Sequence, residues 1–110
     1  MLSTVFGQLR SKGLERGSIV ISMAGHDRGR LYLVTTIEPP YVWLTDGRYR
    51  PLDRTKKKRI KHLRLLGHPQ PVGVMDMIEQ LPEAGRQNAA IRNHISEFMN
   101  SHQNPDKEEN

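Results

Sequence analysis

A chain of 110 residues with a hydrophobic fraction of 35% and a mean hydropathy of −0.66 has room for one small domain and for segments outside its core. It has no cysteine, which excludes disulfides and thiolate metal sites. The formal charge of +5 is unevenly spread: residues 1–64 carry fourteen Lys and Arg against five Asp and Glu, a net +9, whereas residues 65–110 carry three against seven, a net −4. A basic body with an acidic tail points to a polyanionic partner for the first part only.

In chain order, Met1–Arg10 has neither a basic lead nor a continuous apolar run, so no signal peptide is expected. No stretch approaches the roughly 20 apolar residues of a membrane span, and the protein is expected to be soluble and cytoplasmic, without a membrane partner. Leu2, Val5, Phe6 and Leu9 follow a helix-like spacing interrupted by Gly7 and Gly13, so residues 1–16 read as a short N-terminal extension. Residues 17–36 read as a hairpin. Ile19–Ser22 and Leu31–Thr36 are rich in β-branched and aromatic residues, and Gly25 and Gly29 suit the positive φ of a tight reversal. Asp27 fits a turn role, by hydrogen bonding to backbone or by accepting positive φ, while His26, Arg28 and Arg30 project from the bend.

Glu38-Pro39-Pro40 is expected to break the sheet, because proline cannot donate to a ladder. A second hairpin follows, Tyr41–Thr45 and Arg48–Leu52, with Asp46-Gly47 supplying two positive-φ positions of a type I′ turn. Tyr41, Trp43 and Thr45 share one side of that strand and Val42 and Leu44 the other; either set can be buried, and Trp43 is expected inside. Beyond the basic run, Ile60, Leu63, Leu65 and Leu66 suit a closing strand that Gly67 and Pro69 end. Several short strands joined by tight turns fit a small barrel over residues 17–68. Within 69–100, Val74, Met75, Ile78 and Leu81, then Ile91, Ile95, Phe98 and Met99, predict two short helices. Residues 101–110 read as a disordered polar tail.

The densest chemistry lies between Arg48 and Arg64. Arg48, Arg50, Arg54, Lys56, Lys57, Lys58, Arg59, Lys61 and Arg64 are opposed by Asp53 alone. Such a cluster repels itself unless a polyanion neutralises it, and each phosphate contact also releases counterions. Tyr32, Tyr41, Trp43 and Tyr49 interleave with arginines, which favours unpaired RNA bases over duplex DNA, with at least two of these rings expected in the core. The five histidines show no metal-ligand spacing; His26 and His62 lie among cations, where they suit hydrogen bonds to phosphate or base. No nucleophile elbow or phosphate-cradling loop is present, so no enzyme activity, cofactor or small-molecule substrate is expected.

Four segments, Gly17-Ser18-Ile19-Val20, Ala24–Arg30, Val42–Gly47 and Lys56–Leu63, together resemble the KOW motif of large-subunit ribosomal proteins of the archaeal and eukaryotic type and of small bacterial KOW-domain RNA-binding proteins. The resemblance covers about residues 16–68. It implies a mainly β fold, a small SH3-like barrel with a short N-terminal extension and a C-terminal helical appendage. It also implies a non-enzymatic rRNA-binding role on or near the ribosome, with Arg28, Gly29 and Arg30 in the family's loop role and Lys56–Lys61 facing RNA. Leu31-Tyr32-Leu33 stands where many KOW motifs place a second glycine, which suits the ribosomal-protein branch better than the elongation-factor branch. The alternative is a protein-interaction adaptor, in which the barrel and the apolar rows of the acidic helical tail dock a partner.

Overall fold

The structure, a computed structural model, describes residues 13–102. The apolar row Leu2, Val5, Phe6 and Leu9 and the tail 103–110 lie outside the described residues. Five antiparallel strands form one sheet: β1 (Ile19–Ser22), β2 (Leu31–Glu38), β3 (Tyr41–Thr45), β4 (Lys56–Arg59) and β5 (Leu63–Gly67), in the order β4-β3-β2-β1-β5. Two helices follow, α1 (Val74–Glu79) and α2 (Ala84–His102).

β1 and β2 read as nearly unbroken apolar runs because both faces of the sheet are covered there. Val20, Tyr32 and Val34 point to one side, where they meet Val42, Leu44 and Ile60 inside the curl of the sheet. Ile19 and Leu33 point to the other, where Val74, Met75, Ile78, Ile91 and Ile95 of the helices bury them. Register shifts in the β1–β5 and β2–β3 ladders add to the twist that the curl needs. Ile78, Ile91, Ile95 and Phe98 therefore pack onto the sheet and are not left free as a docking surface, while Leu81 is half-buried.

Several expectations are corrected. The backbone ladder does not close into a barrel: β4 and β5 are its two edges. A 3₁₀ turn, Ile60–His62, separates them, held by Ile60 N–H donating to the Pro40 carbonyl (2.9 Å) and by Met23 N–H donating to that of His62 (2.8 Å). Pro39-Pro40, joined by a cis bond, does not interrupt the sheet but forms the two-residue turn between β2 and β3, with Glu38 opposite Tyr41. Asp46-Gly47 is not a type I′ turn. Gly47 alone has positive φ (74°), and the Asp46 carboxylate instead accepts the N–H groups of Arg48 (2.9 Å) and Arg50 (2.8 Å). Residues 48–52 therefore form no strand, and β3 takes Lys56–Arg59 as its partner. Asp27 likewise keeps negative φ.

The deciding constraint on the 46–52 loop is α2. A Cβ on Gly47 would sit 2.5 Å from the Asn88 carbonyl, the Asn88 side chain accepts Leu52 N–H (2.9 Å), and Arg92 Nη1 donates to the Gly47 carbonyl (2.6 Å). Trp43 is not inside: Val42 and Leu44 are fully buried and Trp43 is half-buried. Of the four interleaved aromatics only Tyr32 is core. α2 is not short either. It runs for nineteen residues and takes in Ser101 and His102, whose Nδ1 lies 2.9 Å from the Phe98 carbonyl and whose ring stacks on Phe98.

Since Ile91 is fully buried between α2 and the sheet, Ile91→Ala should lower stability by about 2–4 kcal/mol through lost burial and the cavity left behind. Denaturant unfolding followed by circular dichroism measures it, and an unchanged midpoint would show that the helix does not share the sheet's core.

Candidate nucleic-acid interface

The loop between β1 and β2 is built around one carboxylate. Gly25 (φ 87°) and Gly29 (φ 90°) make its two reversals, as the sequence predicts, and Arg30 N–H closes back on the Asp27 carbonyl at 2.9 Å. Asp27 points inward. Its Oδ1 accepts from Ser22 Oγ (2.9 Å) and Lys58 Nζ (3.1 Å), its Oδ2 accepts from Tyr32 Oη (2.7 Å), and Lys56 Nζ lies 3.3 Å from Oδ2. Lys58 Nζ also donates to the Ala24 carbonyl at 2.9 Å. One buried side chain thus gathers β1, β2 and the edge strand β4 onto the loop.

Electrostatics explain why this charge is tolerated. Burial alone would push the Asp27 carboxyl up, but hydrogen bonds from Tyr32, Lys58, Ser22 and Lys56 outweigh it and hold the group well below the usual carboxylate range. Burial, together with the hydrogen bond to Asp27, pushes the Tyr32 hydroxyl up to about 12, so it stays a donor. Asp27 and Lys58 are both nearly sealed, with side chains 4% and 9% exposed.

β4 therefore sorts the basic run by strand parity. Lys56 and Lys58 turn in to Asp27, whereas Lys57 and Arg59 turn out. Lys58, expected to face RNA, is committed to the interior; Lys56 is partly so, at 26% exposure. Outside, Lys57 Nζ lies 4.3 Å from the Tyr41 ring centroid and 5.7 Å from that of Trp43, and Arg59 lies 5.5 Å from Tyr41. This outer face joins cations to half-buried rings. It also guards an edge strand with charge.

The other predicted residues divide by position. His26 and Arg28 stand exposed at the loop tip beside Gly29. Arg30 is half-buried with its guanidinium 4.3 Å above the Tyr49 ring, which brings the first loop to the 46–50 loop that carries exposed Arg48 and half-buried Arg50. Lys61 is exposed and His62 half-buried in the 3₁₀ turn before β5. Arg54 is exposed in a second 3₁₀ turn, Leu52–Arg54, on the side anchored to Asn88. The sequence reading missed the inward role of Asp27 and Lys58, because the basic run alternates inward and outward only once Lys56–Arg59 is known to be a strand. It also missed Arg92, whose place depends on α2 packing. Among the described residues no three His, Asp or Glu side chains cluster as metal ligands would, and no helix is long and apolar enough to cross a membrane. The sequence matches no protein-family model and no curated protein.

Removing the Asp27 charge leaves Lys58 buried without its partner, so Asp27→Asn should cost about 3 kcal/mol at pH 7. The folded-state carboxyl titrates well below its unfolded value of 3.8, so this stability is fully present above that pH and is lost progressively as pH falls from there through the folded-state value. Melting curves at pH 7 and pH 3 should show the gap between parent and variant narrowing in acid without closing, because the folded-state carboxyl is still ionised at pH 3. A constant gap would mean that the carboxylate charge is not what holds the loop.

Proposed function

We propose that this protein is a non-enzymatic RNA-binding module of the KOW type, an SH3-like barrel whose target is RNA, with ribosomal RNA the first candidate. The observation that carries this reading is the joining of the loop tip, His26 and Arg28, to the outer cations of β4 through the Asp27 cluster. Lys58 thereby ties a loop tip that carries His26 and Arg28 to a strand whose outer face carries Lys57 and Arg59 beside the Tyr41 and Trp43 rings, and cations set with rings are the combination that binds phosphate and stacks unpaired bases. The curl of the sheet supports the barrel reading, since the lysines of edge strand β4 bond across to the loop between β1 and β2. Leu31-Tyr32-Leu33, where many KOW motifs carry glycine, supplies the ring that donates to Asp27, so the departure from that pattern supports the same loop.

The alternative is a protein-interaction adaptor that uses the barrel and the acidic helical tail; the apolar rows of α1 and α2 that pack on the core do not add to it. RNA binding is mainly electrostatic and belongs to outward cations. With about five phosphates neutralised, log K should fall against log salt with a slope near −4. Lys57→Glu with Arg59→Glu should nearly abolish binding while melting as the parent does, whereas Lys58→Glu should destabilise the fold by placing a carboxylate against Asp27. Titration of ribosomal RNA fragments at several salt concentrations checks this, and a flat salt dependence would defeat it.

A further inference from the structure

Between the β1–β2 loop, the 46–50 loop and α2 lies a shallow, largely open cleft of about 370 Å³. Its walls come from three places in the chain. Arg30 and Tyr49 form one, Arg48 the rim, and Arg92 with Ser96 and Met99 of α2 the other; Leu31 and Ile95 lie at the base. We infer that this cleft takes a single unpaired RNA nucleotide, its base against Tyr49 and Met99 and its phosphate between Arg48 and Arg92. The inference rests on the RNA-binding reading above and assigns to it a site that is complete only with α2, outside the basic half of the sequence.

Three observations converge. Tyr49 is 61% exposed although it is a large ring, and Arg30 stacks on it at 4.3 Å, which holds it ready without hiding it. A ring so presented stacks on any base, because every base offers a π-face. Arg92 is oriented by one bond, from Nη1 to the Gly47 carbonyl, and a guanidinium has five N–H donors, so others remain for a phosphate. The charge is also lopsided: three arginines face one carboxylate, Asp46, whose Oδ1 already accepts two backbone N–H groups. The volume suits a small ligand rather than a duplex.

The test uses the full chain with a fluorescent oligouridylate of about ten nucleotides and an RNA duplex of equal length, titrated by anisotropy at one salt concentration. Tyr49→Ala and Ser96→Asp should each weaken single-strand binding about tenfold and leave duplex binding within about twofold, whereas Lys57→Glu should weaken both. If the two cleft variants bind the single strand as the parent does while Lys57→Glu still weakens it, the cleft is not a nucleotide site and the RNA-binding reading stands. If the parent binds neither probe, both readings fall. Should a variant melt early, photo-crosslinking of the parent to a 4-thiouridine oligonucleotide decides. Adducts on Tyr49 or Met99 support the site, and adducts confined to the Tyr41–Trp43 face overturn it.

Discussion

A carboxylate sealed at 4% exposure cannot stand alone, and the way Asp27 is satisfied sets the shape of this molecule. It sits in a loop, yet its partners are Ser22 on β1, Tyr32 on β2, and Lys56 and Lys58 on β4, the last of them on an edge strand. To bring those groups to two oxygen atoms the sheet has to curl. The curl in turn gives Val20, Tyr32, Val34, Val42, Leu44 and Ile60 an enclosed space to fill. Backbone pairing stops at β4 and β5, and this charged cluster ties edge strand β4 to the β1–β2 loop.

The same cluster divides the labour of a run of cations that looks uniform as a string of letters. Two of the three β4 lysines, Lys56 and Lys58, neutralise the interior; the third, Lys57, is left outside with Arg59 beside Tyr41 and Trp43. An interior partner for Lys58 fixes the direction of β4 and therefore the direction in which Lys57 and Arg59 point. Inward and outward charges are coupled here through strand parity rather than through contact. On the far side of the loop, α2 plays the matching part: it packs on the sheet with Ile91 and Ile95, and in doing so it fixes the 46–52 loop through Asn88 and Arg92.

Much of this was legible in the sequence. The β-branched runs around Gly25 and Gly29 gave the first hairpin, and the 3.6-residue spacing of Ile78, Ile91 and Ile95 gave the helices, because local pattern and burial agree there. Asp46-Gly47 misled because its local chemistry fits a tight hairpin, and the contact that overrides it comes from Asn88, far along the chain. Trp43 misled because both faces of β3 carry apolar residues, and only the packing of Val42 and Leu44 against Val20 and Tyr32 decides between them. The basic cluster was visible as a cluster. Its inward and outward members were not, since parity has no meaning until Lys56–Arg59 is known to be a strand.

The central claim is that Asp27 and Lys58 act on each other to hold the loop and the edge strand together. A double-mutant cycle on folding stability measures that directly, with Asp27→Asn, Lys58→Met and the pair combined. The account predicts a coupling of about 1–3 kcal/mol at pH 7, the double variant recovering much of what each single variant loses. Simple additivity of the two losses would contradict it.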